Sequence, residues 1–185
     1  MESTRIQIPN ELFAPAESSH FEGIYDVGRL EVGPDEYVFD GPLAWSVDVT
    51  NTGEAFLVMG TVEGRATTLC GRCLEEVSIP LSGEVNGYYL IEPESAEDLE
   101  DMEGDEFEVL GEDEVIDLEV PIKAALLLDI PLVPLCDEEC KGLCLECGSN
   151  LNEGPCGCAP KQDEEDDGVS PDNPFAVLKG LKLDN

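Results

Sequence analysis

Residues 76–91 read Glu-Val-Ser-Ile-Pro-Leu-Ser-Gly-Glu-Val-Asn-Gly-Tyr-Tyr-Leu-Ile. Val77, Ile79, Leu81, Val85, Tyr89 and Ile91 fall on odd positions, and Glu76, Ser78, Ser82, Glu84 and Asn86 on even ones. Successive side chains of a strand point to opposite faces, so this period of two predicts a long strand with one face inside, bent at Gly83 and Gly87. The pattern repeats upstream. Leu43, Trp45, Val47 and Val49 alternate with Ser46 and Asp48, Asn51-Thr52-Gly53 reads as a turn, and Ala55 to Thr68, with glycines at 60 and 64, reads as one long strand or two short ones. Leu30 to Phe39 is a weaker candidate strand. The fold class expected is α+β, mainly β: a small twisted antiparallel sheet or open barrel.

One helix is expected. Leu118 to Ile130 is apolar almost all round, with Pro121 in its first turn and Pro131 closing it, which predicts a buried helix that caps the open face of the sheet. Between Glu92 and Glu119, 15 of 28 residues are Asp or Glu and none is basic. Residues 92–106 therefore read as an acidic loop, either a solvated insertion or a docking surface. The chain divides into a core at 1–135, a cysteine-rich module at 136–158, an acidic linker at 159–172 and a short helix at 173–185 carrying Phe175, Leu178 and Leu181. So short a helix is marginal alone, so it is expected to dock on the core or on a partner.

Charge narrows the function. Against 43 Asp and Glu stand 9 Lys and Arg, a net charge of −34. Gripping nucleic acid requires basic side chains that displace counterions from phosphate, so direct RNA binding is disfavoured and a basic protein partner favoured. Residues 1–15 show neither a secretory nor a transit pattern, and no apolar run approaches the roughly 18 residues of a membrane span, so a cytoplasmic protein is expected.

The eight cysteines carry the most specific chemistry. Cys70 and Cys73 form a C-x2-C pair, Cys136 and Cys140 a C-x3-C pair, Cys144 and Cys147 a second C-x2-C pair, and Cys156 and Cys158 a C-x-C pair. In a reducing compartment such pairs read as thiolate ligands, and a C-x2-C turn aims two sulfurs at one tetrahedral zinc ion. Proximity in sequence predicts one site from Cys144, Cys147, Cys156 and Cys158, shaped like a miniature zinc ribbon, and another from Cys70, Cys73, Cys136 and Cys140 that ties sheet to helix end: two zinc ions. A single ion on Cys140, Cys144, Cys147 and Cys156 fits the spacing nearly as well. An iron–sulfur cluster is a further alternative, and two buried free thiols a further reading of Cys70 and Cys73. Four-sulfur sites leave no open position for catalysis, the single His20 is remote from every pair, and the phosphate-loop, dinucleotide and hydrolase motifs are absent, so no enzyme is expected.

Together, Cys70-Gly71-Arg72-Cys73-Leu74, Ile116-Asp117-Leu118, Ile130-Pro131-Leu132-Val133-Pro134, Gly142-Leu143-Cys144 with Cys147-Gly148 and Leu151-Asn152, and Asn173-Pro174-Phe175-Ala176-Val177-Leu178 resemble the bacterial YceD family of large ribosomal RNA subunit accumulation proteins. The resemblance implies a non-enzymatic role in producing or maintaining large-subunit ribosomal RNA. Neighbouring genes for a small basic ribosomal protein in that family imply a link to ribosome assembly, and members that keep only the first cysteine pair imply separable sites. This chain is more acidic, which favours a basic ribosomal protein or a pre-large-subunit particle as partner. The competing expectation is a thiol-based redox or zinc-responsive regulator.

Overall fold

The computed structural model describes residues 4–91 and 107–158. The expected acidic loop at 92–106, linker at 159–172 and terminal helix at 173–185 lie outside the described residues. Among those described, the elements are β1 (Arg5–Gln7), a 3-10 turn (Asn10–Phe13), β2 (Ser18–Tyr25), β3 (Arg29–Val32), β4 (Asp35–Phe39), β5 (Leu43–Asn51), β6 (Ala55–Leu69), β7 (Glu76–Leu90), β8 (Glu108–Val109), β9 (Val115–Asp117) and one α-helix, α1 (Glu119–Asp129). The protein is mainly β, with an open sheet.

β6 is the spine of that sheet. It pairs along its whole length with β7, antiparallel from Ala55 opposite Leu90 to Leu69 opposite Glu76. Its other edge takes β5 over Phe56 to Glu63 and then β4 at Ala66 and Thr67, so β5 and β4 follow one another along the same edge. β2 lies outside β5 and β3 outside β4. The only parallel pairing among these strands is the two-residue contact of β8 with β7. The candidate strand at Leu30 to Phe39 is in fact a hairpin, β3 and β4, turned at Gly33, whose φ of +61° glycine adopts without strain.

The alternation placed the inner face correctly: Leu43, Trp45, Val47 and Val49 of β5 and Leu81, Val85 and Tyr89 of β7 are all buried. Of the two readings for residues 55–68, the single long strand holds: β6 runs unbroken through Gly60 and Gly64, and β7 stays paired with it through Gly83 and Gly87. A Cβ at Gly60 would strike the Ser46 carbonyl and Val47, and one at Gly64 the Leu43 side chain. These contacts are with β5, the neighbouring strand of the same sheet, so the missing Cβ atoms let β5 and β6 pair closely.

α1 packs on the inner face against β7 and β6. Ile122, Ala125 and Leu126 are buried, with Leu118 and Ile130 at its ends. The helix covers the sheet as expected but is buried on one side only: Val120, Leu127 and Leu128 are exposed, because among the described residues a single sheet contacts it. The N-terminal residues, which show no clear period of their own, also enter the core. β1 pairs with β9, and Ile6, Ile8 and Leu12 are buried.

Candidate metal centres

The first centre starts where β6 ends. Cys70 follows Leu69, and the chain reverses through Gly71, Arg72 and Cys73 before β7. In this turn the Leu74 N–H donates to the Cys70 carbonyl (2.9 Å) and the Cys70 N–H to the Glu75 carbonyl (2.8 Å). The Gly71 N–H donates to the Pro134 carbonyl (2.8 Å), which brings the segment leaving α1 onto the turn and delivers Cys136 and Cys140. The sulfurs of Cys70 and Cys140 are 3.8 Å apart and those of Cys73 and Cys136 3.6 Å. Around a tetrahedral zinc with Zn–S bonds of about 2.3 Å, sulfurs stand about 3.8 Å apart, so the donor set fits such an ion. Cys70, Cys73 and Cys140 are buried against Val77, Leu135 and Leu143, and Cys136 is exposed.

The second centre repeats the turn. The Gly148 N–H donates to the Cys144 carbonyl (2.8 Å) and the Cys144 N–H to the Ser149 carbonyl (2.8 Å), the same two bonds in the same register. Both turns need a left-handed residue after the second cysteine: Gly148 has φ +72°, and Leu74 has φ +60°. Leu143 and Asn150 form a single bridge at the base of the turn. Cys156 and Cys158 bring the second pair, and within each group of four, Cys70, Cys73, Cys136, Cys140 and Cys144, Cys147, Cys156, Cys158, the sulfurs lie within 4.8 Å of one another. Cys140 thus joins the first group, not the alternative set with Cys144, Cys147 and Cys156. The second group is the more open, with Cys147 exposed and the other three half-buried.

Each group is electrostatically divided. Burial opposes ionisation of Cys70, but the N–H groups of Cys73, Arg72 and Cys136 outweigh it and bring its thiol down to about 6. Cys136, beside Cys140 and Cys73, is pushed up to about 12. In the second group the Ser149 hydroxyl and N–H lower Cys147 to about 6, and Cys147 and Cys156 push Cys158 up to about 12. Four close thiols cannot all ionise on their own, and a divalent cation would remove that conflict.

Three residues that spacing could not nominate organise the pair. The Asn152 amide donates to Cys140 Sγ (3.2 Å), the leading cause of that thiol's lowered pKa, and its Oδ1 accepts from the Lys141 N–H (2.8 Å). Arg72 donates through Nη1 to the carbonyls of Glu138 and Cys140, both at 3.0 Å, while its own carbonyl accepts from Leu143 N–H (3.1 Å). Ser149 serves Cys147. Arg72 reaches Cys140 across 68 residues, a pairing that no local pattern encodes. His20 stands elsewhere, on β2, with Nδ1 2.9 Å from Asp48 Oδ1 on exposed sheet surface.

The family model for the large ribosomal RNA subunit accumulation protein YceD matches residues 58–182. The chain belongs to the YceD family. The YceD match begins inside β6 and takes in β7, α1 and all eight cysteines. An uncharacterized protein of Mycobacterium tuberculosis is 38% identical over 107 residues, 58% of this chain and 50% of its own length. The chloroplastic YCED homolog 1 of Arabidopsis thaliana, a large ribosomal RNA subunit accumulation protein, is 27% identical over 166 residues, covering 77% of this chain and 51% of the homologue. Its Zea mays counterpart is 29% identical over 167 residues, 76% and 53%. The chain spans about half the length of the curated relatives it matches. No solved structure gives a significant match.

Proposed function

We propose that this protein is a non-enzymatic, zinc-binding factor in large ribosomal subunit biogenesis that sustains large-subunit ribosomal RNA by binding a basic ribosomal protein or a pre-large-subunit particle. The observation that carries the reading is the YceD match across a region that includes both thiol groups. Two zinc ions, each on four sulfurs, would staple a ribbon-like module at 136–158 to the core at 1–135, and closed four-sulfur shells suit structure better than catalysis. The charge of −34 supports a basic protein partner over bare RNA. No helix among the described residues is long and apolar enough to cross a membrane. A reducing cytoplasm is the compartment that suits eight thiolate ligands.

Loss of the protein is expected to lower large-subunit relative to small-subunit ribosomal RNA, and elemental analysis of the reduced protein to return two zinc ions per chain. Unchanged ribosomal RNA would sink the biogenesis reading, and absence of zinc the structural-site reading. A second reading, a thiol-based redox or zinc-responsive regulator, draws on the openness of the second group and the lowered pKa of exposed Cys147. Reversible zinc release by mild oxidant, with ribosomal RNA unaffected, would favour it.

A further inference from the structure

The face of α1 turned away from the sheet is apolar. Val120 is 66% exposed, Leu127 45% and Leu128 88%, with Ala124 between them, a stripe at i, i+4, i+7 and i+8 along one side of the helix. Leu132, fully exposed, and Val133, at 57%, are further exposed aliphatics in the segment that leaves the helix, where Pro134 is tied to the first cysteine turn. Large aliphatic side chains clustered in the open mark an interaction surface more often than scattered ones do. The exposed charges that follow it in sequence are mainly acidic, with Lys141 the exception and Asp129 accepting from the Ser82 N–H. Lys123 is held by Glu119 at 2.6 Å, and Asp129, Asp137, Glu138 and Glu139 are exposed along and just beyond the helix.

We propose that this stripe is the docking surface for an amphipathic helix of a partner protein, one whose apolar face is flanked by Lys and Arg. The proposal rests on the basic-partner reading above and locates it. Charge complementarity selects the occupant: its apolar ridges seat in the grooves of the stripe while the flanking cations meet the acidic residues nearby. A second copy would bring another −34 charges to the same residues, which like-charge repulsion opposes. A helix suits the surface better than an extended peptide, because α1 offers side chains and no unpaired strand edge.

The test uses the full chain loaded with zinc and two synthetic 18-residue peptides of Leu and Lys, one with all Leu on one helical face and one scrambled to destroy that face. The wild type is expected to bind the amphipathic peptide at least tenfold more tightly than the scrambled one at 0.1 M salt. Leu127→Asp/Leu128→Asp should abolish the margin, although it adds two negative charges that pure charge attraction would reward. Leu128→Asp alone, at the more exposed position, serves if the double variant does not fold. Equal binding of both peptides, unchanged or tightened in the variants, overturns this docking surface and leaves the basic-partner reading standing. Failure to bind either peptide overturns both. A wild-type dimer that the variants convert to monomer, or amide protection at residues 173–183 that the variants remove, would show the stripe covered by a second copy or by the chain's own end, and either overturns the proposal.

Discussion

Gly83 of β7 lies directly against the backbone of Ala125 in α1: a Cβ on Gly83 would fall 2.5 Å from the Ala125 carbonyl oxygen and 2.6 Å from its carbonyl carbon. Helix and sheet approach here as closely as backbone allows. Because the obstacle is main chain, Gly83→Ala must displace the helix and is expected to destabilise the fold by about 1–3 kcal/mol. Urea unfolding of the wild type and variant checks this, and an unchanged midpoint would show that α1 rides more loosely on the sheet.

The two cysteine turns make opposite predictions for one kind of change. Leu74 holds φ +60° with a side chain 59% exposed, so it bears backbone strain with little packing in return. Leu74→Gly should stabilise the zinc-loaded protein by about 0.5–1 kcal/mol after the added freedom of the unfolded glycine is set against the relief. Gly148 has φ +72° and open space around its missing Cβ, so Gly148→Ala should cost about 1 kcal/mol from backbone alone. Thermal unfolding of the two variants should move in opposite directions.

Asn152 supports Cys140 from outside the ligand set. Asn152→Ala removes the donor that favours the thiolate and frees the Lys141 N–H, and should weaken zinc at the first centre about 10- to 100-fold. Chelator competition resolves this as one ion released early while the second is retained. Release of both together would mean that the centres are energetically joined through Arg72 and Leu143.

Asp117 supplies an acid-sensitive contribution at the β1–β9 junction. Burial works against its ionisation, yet the Thr4 hydroxyl (2.7 Å), the Glu119 N–H (3.0 Å) and Arg5 (3.2 Å) hold its carboxyl below the usual range. With the folded value depressed, its stabilisation is complete above the unfolded value of about 4 and disappears as pH falls through the folded one. Between pH 5 and 3 the wild type should therefore lose more stability than Asp117→Asn. Any metal lost from the cysteine groups in acid would be lost from both proteins, so the difference between them is the quantity to read, and parallel curves would remove Asp117 from the account.

Alternation alone determined which faces of β5 and β7 are inside, because a strand's side chains flip with strict period two and a buried face admits no polar slip. Spacing proposed the grouping of cysteines that the structure shows but fitted a set of Cys140, Cys144, Cys147 and Cys156 nearly as well, and only the fold placed Cys140 beside Cys70. Four further features were decided only by tertiary contact. β1 and β9 are too short to show a period, and they pair across more than 100 residues. Gly60 and Gly64 leave one long strand and two short ones equally open in sequence, until neighbouring β5 at Ser46, Val47 and Leu43 is seen to need their missing Cβ atoms. Asn152 and Arg72 act on cysteines that only folding brings near. The helix read as buried because its sequence is apolar all round, but burial depends on how many layers cover a helix; among the described residues one sheet does, and Val120, Leu127 and Leu128 are left facing outward.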